Sequence, residues 1–211
     1  MKRQPKAIEE NQDGQVLSMK ELKKRAKKNR RAKHPTQYAV LDWVIVIAVA
    51  LAVALIINFF IIVNSTVPTG SMETTIMSGS RMLGFRVAYL FGEPKRGDII
   101  IFRYPDDPSQ FFVKRVIGLP GETVEIIKGV TYINGKELEE DYINPDYHLM
   151  DLENENYGPY EVPEDSYFMM GDNRGNSKDS RRWVNTYVHK DAIIGKAWLC
   201  YWPFSDFGVL K

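Results

Sequence analysis

Phe111-Phe112-Val113-Lys114-Arg115-Val116-Ile117-Gly118 is the stretch on which the fold turns. It is rich in aromatic and β-branched residues, which favour strands. It stops at Gly118-Leu119-Pro120-Gly121, a cluster of turn formers. On a strand, alternate residues share a face. Phe112, Lys114 and Val116 then point one way and Arg115 the other. Lys114, between large apolar neighbours, is either desolvated or a lysine that reaches past them to water.

Working outward, the same signature recurs. Asp98 to Arg103 is a β-branched run after Arg96-Gly97. Thr123 to Ile127 and Val130 to Ile133 flank Lys128-Gly129, and Asn134-Gly135 is a hairpin turn with Lys136 to Leu138 returning. Ser166 to Met170 and Ala192 to Trp202 complete the set. Long helical periodicity is missing here, so residues 64–211 read as a mostly β domain, antiparallel, of short strands with long loops. Within it, residues 139–160 are acidic and rich in Asn and Tyr, with Pro145 and Pro159, and read as a surface insertion.

The N-terminal side is different. The 211 residues carry a net charge of +1, but up to Asp42 there are 12 Lys and Arg against 5 Asp and Glu. Nine of those cations lie between Lys20 and Lys33. A solvated, disordered tail and a nucleic-acid arm both fit such a run; the context argues against nucleic acid. Trp43 to Val63 follows, uncharged and with Asn58 as its one amide. About 20 apolar residues span a bilayer as a helix. A cleavable secretory leader has a shorter core and head. The expectation is therefore a basic cytoplasmic tail over 1–42, a single transmembrane α-helix over 43–63, and an extracytoplasmic domain, oriented by the basic cluster. Cys200 is the one cysteine, in the apolar run AWLCYW, and reads as a buried thiol. His34, His148 and His189 lie in unrelated contexts, so no metal site is expected.

Two further stretches carry candidate chemistry. Pro68-Thr69-Gly70-Ser71-Met72 suggests a tight turn that holds a hydroxyl out from the backbone, eight residues after Val63. A bare stalk would look the same if it stood alone. Gly171 to Arg181, GDNRGNSKDSR, is a loop by its Gly, Asn and Ser content. Its polar groups suit a hydrogen-bonded scaffold better than a solvated turn: Ser177 suits a lysine amine and Asp179 suits Arg181. At a pKa of about 10.4, only about 1 lysine in 2,500 is neutral at pH 7. Burial lowers that pKa. A neutral Lys114 is then a base for Ser71.

Taken in order behind one anchor, these elements resemble the boxes of type I signal peptidases, the Ser-Lys proteases that cut signal peptides from secreted preproteins. Pro68 to Met72 resembles the nucleophile box, Lys114 to Glu122 the general-base box, Gly171 to Arg181 the C-terminal box, and Arg96 to Ile100 a structural box between them. The resemblance covers roughly residues 35–205. It implies Ser71 as nucleophile, Lys114 as general base, Ser177 as the holder of the amine, and Asp179 with Arg181 as a loop brace. Thr69 stands where the family's oxyanion hydroxyl lies, often a serine, and works with the Ser71 N–H. Val67, Met72, Ile76, Phe112 and Val113 match positions lining pockets for small side chains at −1 and −3. Thr74 replaces a usual proline and Ser80 a usual aspartate. The implied partners are preprotein signal peptides, the lipid bilayer of the plasma membrane and a nearby secretion translocon. No cofactor, metal or nucleic acid is called for. Two rival readings are a Ser-Lys protease of another substrate class and a membrane-anchored adaptor without catalysis.

Overall fold

The computed structural model describes residues 18–144 and 156–210. The first 17 residues of the basic tail lie outside the described residues, as do residues 145–155 of the acidic stretch, with Pro145 and His148. Two compact units emerge, Met1–Leu55 and Ile56–Lys211.

The first unit is helical. Helix α1 (Met19–Lys33) contains the basic cluster, which is therefore not an irregular tail. Its start is a capping box: the Glu21 N–H donates to Ser18 Oγ at 3.3 Å and the Ser18 N–H donates to Glu21 Oε2 at 2.8 Å. Lys, Arg and Ala are good helix formers, so a capped run of them folds locally. His34 separates α1 from α2 (Pro35–Ile56), which opens on a proline where a helix tolerates one. A π-helical turn, Ile57–Ile61, prolongs it. The whole span, Pro35–Ile61, has 27 residues, and its most apolar 18-residue window has a mean hydropathy of 3.1, long and apolar enough to cross a membrane. It begins earlier than Trp43 and ends before Val63.

Ile62 and Val63 instead open strand β1 (Ile62–Thr66), which pairs antiparallel with β2 (Arg81–Phe85). The apolar pattern cannot reveal this switch, because a membrane helix and a strand buried on one face both accept Ile-Val. Past β2 the backbone turns through a 3-10 segment, Arg86–Tyr89. Leu90 is then 66% and Phe91 100% exposed, so the strand ends at Phe85 and Arg86 to Phe91 is not part of it.

Next come β3 (Ile99–Tyr104) and β4 (Asp107–Gly118). The hairpin arm follows as β5 (Thr123–Ile127), β6 (Val130–Ile133) and β7 (Lys136–Glu137), with β8 (Tyr157–Glu161) returning from the acidic stretch. The chain closes with β9 (Ser166–Met170), β10 (Val188–His189), β11 (Ile193–Trp202) and β12 (Gly208–Val209). The main sheet runs β1-β2-β11-β3-β4-β9-β10, with β12 beside β11; the second runs β7-β6-β5-β8. All pairings are antiparallel. The acidic stretch is thus more than a surface insertion: β8 pairs with β5, and Glu140 and Tyr142 pack inward. Cys200 is buried on β11.

β4 is central to the site. It pairs with β3 from Phe111 to Arg115, with Lys114 opposite Ile100. It pairs with β9 only from Arg115 onward. Over its N-terminal half, one edge of β4 therefore has no strand beside it among the described residues.

Candidate active site

Ser71 sits in a single 3-10 turn, Gly70–Met72, entered from an extended Thr69. The turn is held from both ends. The Gly79 N–H donates to the Val67 carbonyl at 2.7 Å, and the Val67 N–H donates to the Ser80 carbonyl at 2.9 Å. Gly79 has φ +85°, a conformation glycine supplies at no cost. Thr74 and Ser80 leave this turn closed, although Ser80 Oγ is buried without a hydrogen-bond partner.

Lys114 Nζ lies 2.5 Å from Ser71 Oγ and donates to the Val113 carbonyl at 3.1 Å. Lys114 is 4% and Ser71 6% exposed. Among the described residues no carboxylate is hydrogen-bonded to the amine; the Phe112 ring lies 5.6 Å from it. Burial pushes the Lys114 pKa down to about 8, against the opposing pull of Asp179 and Asp172. At that value about one amine in ten is neutral at pH 7. Thr69 Oγ1 is 3.4 Å from Ser71 Oγ, on the same side of the turn.

The loop after β9 braces this pair. Asn173 reaches the nucleophile turn twice, its N–H to the Ser71 carbonyl at 3.2 Å and its Nδ2 to the Gly70 carbonyl at 3.0 Å. Gly171 packs so closely that a Cβ there would collide with the Ser71 carbonyl and with Ser177 Oγ. Asp179 and Arg181 form a buried two-point pair, Nε to Oδ1 at 2.8 Å and Nη2 to Oδ2 at 2.9 Å. Burial alone would push the Asp179 carboxyl up; Arg181 outweighs it and holds the pKa below the usual range. Arg181 also ties to the Arg174 carbonyl at 2.8 Å. Ser177 differs from expectation. Its Oγ is buried and makes no bond to the Lys114 amine; the hydroxyl instead lies by the Asp179 carboxylate and helps hold that carboxyl low.

A cleft of about 320 Å³ opens beside the pair, with Val67, Phe112 and Val113 among its lining residues. Met72 and Ile76 do not line it. Their side chains are 0% and 1% exposed, packed beneath it with Val67 and Val113. Phe111, Asn176 and Lys178 also line it; all three lie in stretches singled out from the sequence, but nothing local marked them as cleft residues. A second cavity, about 390 Å³, opens beside Arg86, Tyr89 and Lys190 and contains neither Ser71 nor Lys114.

Sequence reasoning missed the long-range pairs. Arg115 meets Asp172 with Nε to Oδ1 at 2.9 Å and Nη2 to Oδ2 at 2.6 Å, and Thr75 Oγ1 donates to the same carboxylate at 2.5 Å. Arg174 meets Glu140. The signal for the first was the placement of Arg115 on the face opposite Lys114. Nothing local pointed to the second.

A buried hydroxyl–amine pair on a β scaffold defines a class of hydrolase, and sequence comparison names the family. Residues 40–202 match the model of the family described as signal peptidase, peptidase S26. The chain belongs to that family and is a peptidase. It is 39% identical over 180 residues to a signal peptidase I of Leptolyngbya laminosa, covering 81% of this chain and 84% of that protein. It is 35% identical to signal peptidase IB of Staphylococcus aureus strain COL, over 80% of this chain and 92% of that protein. A crystal structure of a signal peptidase I from Enterococcus faecalis V583 is 40% identical, with a TM-score of 0.42, over 49% of this chain and 96% of that chain.

Proposed function

We propose that this peptidase removes signal peptides from preproteins by acyl transfer, with Ser71 as nucleophile and the neutral amine of Lys114 as general base. The observation that carries the reading is the 2.5 Å contact between Lys114 Nζ and Ser71 Oγ, both almost fully buried, with no carboxylate bonded to the amine among the described residues. Lys114 takes the Ser71 proton as Oγ attacks the scissile carbonyl. The Thr69 hydroxyl and the Ser71 N–H receive the oxyanion. The lysine then gives its proton to the leaving amine, and a water deprotonated by the same amine releases the acyl group. Ser177 orients the amine once Ser71 is acylated. Asp179 and Arg181 brace the loop that carries it.

The substrate lies extended. The unpaired edge of β4 beside the cleft suits a peptide that adds as a strand. Val67, Phe112 and Val113 leave room for small side chains at −1 and −3, with Met72 and Ile76 setting the floor from beneath. The apolar span Pro35–Ile61 anchors the chain, N-terminus in the cytoplasm and catalytic domain outside, where translocated precursors emerge. Exposed Leu90 and Phe91 suit the lipid interface. The test is cleavage of a preprotein with Ala at −3 and −1. Wild type cuts after −1 and Ser71→Ala does not; equal cutting by both overturns the reading. Protease protection in right-side-out vesicles tests the topology, and a shielded C-terminal domain refutes it.

A further inference from the structure

We infer that Glu140 and Tyr142, in the acidic stretch after β7, are positioning residues for the catalytic loop, acting through Arg174 and Arg115. The inference rests on the reading of Ser71 and Lys114 as the reacting pair. Neither residue touches that pair. Each instead grips a buried guanidinium that grips the loop.

Glu140 grips Arg174. Its Oε2 accepts from Arg174 Nη1 at 3.0 Å, and its Oε1 accepts from Nη2. The two side chains are 8% and 1% exposed. Arg174 spends its other donors on two separate parts of the fold. Nη1 also reaches Thr131 Oγ1 on β6 at 3.0 Å, and Nε reaches the Gly171 carbonyl at 3.1 Å. One cation thus joins the second sheet, the acidic stretch and the glycine that abuts the Ser71 carbonyl.

Tyr142 links the two grips. Its hydroxyl donates to Glu140 Oε1 at 2.6 Å, and its ring lies 3.9 Å from the Arg115 guanidinium. Arg115 in turn holds both oxygens of Asp172. The loop is therefore clamped at Gly171 and at Asp172. Asn173, the next residue, makes the two bonds to the nucleophile turn. Three consecutive loop residues stand between the acidic stretch and Ser71.

Charge explains why the grip matters. A buried cation that loses its carboxylate is left uncompensated, and the strain is relieved by drawing the group toward water. For Arg174 that motion pulls on the Gly171 carbonyl. Ser71 Oγ then moves relative to Lys114 Nζ, and a small misplacement lowers turnover more than binding. Of the cleft residues, only Asn176 and Lys178 belong to this loop; Val67, Phe112 and Val113 lie on other segments, so most of the substrate contact is spared.

The experiment uses the full-length protein in detergent with the preprotein above. Glu140→Gln lowers kcat about tenfold or more while KM stays within about twofold, and Tyr142→Phe lowers kcat about threefold. The decisive variant is Glu140→Gln with Arg174→Met, which removes both charges. It regains the melting temperature lost in Glu140→Gln, yet its kcat stays low because nothing holds the Gly171 carbonyl. Recovery of kcat together with stability would reduce Glu140 to a structural role and overturn the inference. If Glu140→Gln fails to fold, Tyr142→Phe decides, and an unchanged kcat there overturns it alone. Cleavage that survives Ser71→Ala overturns the dyad reading first and this inference with it.

Discussion

The two faces of β4 solve the same problem in opposite ways. Both carry a cation buried almost completely, Lys114 on one and Arg115 on the next residue. Arg115 has a carboxylate at two-point contact, Asp172. Lys114 has a hydroxyl and a carbonyl. Burial of a charge is tolerated when a partner offsets desolvation. Where no bonded carboxylate offsets it, the proton is held less tightly instead, as the lowered pKa of Lys114 shows. Structure is built on the first face and basicity on the second, and the residue types follow. Arginine keeps its charge and its fork, while lysine gives up a proton when desolvated.

This contrast is broken most directly at the lysine. Lys114→Arg restores a permanent cation, and Lys114→Ala removes the base; each lowers cleavage by roughly 10³-fold or more, read as product formed per hour on a gel. Activity in Lys114→Arg near wild type would end the account. Next in size are paired substitutions to methionine. Arg115→Met strands Asp172 and costs about 3–5 kcal/mol in urea unfolding. Lys114→Met has the opposite sign. The folded-state pKa, about 8, lies below the ordinary 10.5. The native state therefore resists protonation, its contribution is fully present above pH 10.5, and it is lost as pH falls through 8. At pH 7 the variant gains about 3 kcal/mol over wild type, and the gain vanishes toward pH 10.5. Loss of stability in Lys114→Met at pH 7 would mean the amine is well paired after all.

Smaller effects sharpen the site. Thr69→Val removes a hydroxyl of nearly the same shape and lowers kcat about 10²-fold, whereas Thr69→Ser stays within about threefold. A mild effect of Thr69→Val would assign the oxyanion to backbone alone. Finally, kcat/KM rises about tenfold per pH unit and levels off near pH 8, since only the neutral amine is active. A profile flat between pH 6 and 8 would contradict a titrating base.

Much of this was legible before coordinates. Strands β5, β6 and β9 fall on the runs read from residue type and turn punctuation, because their signals are local. Ser71 and Lys114 could be singled out, one by its turn and one by apolar neighbours. What escaped has a common cause. Arg115 and Asp172 are 57 positions apart, and Arg174 and Glu140 are 34 apart, so no window contains both partners. Strand β1 hid inside an apolar run that reads equally as the end of a helix. Helix α1 hid behind its charge, although Ser18 and Glu21 stood at capping-box spacing. Met72 and Ile76 lie buried beneath the cleft, a depth that spacing along a chain does not report.

Cys200 carries a practical corollary. With one cysteine in 211 residues, the chain has no covalent bridge of its own, and that thiol is shut inside β11. Dithiothreitol should therefore leave the melting temperature and the cleavage rate untouched. The enzyme can be handled, and can work, without regard to whether its surroundings are oxidising.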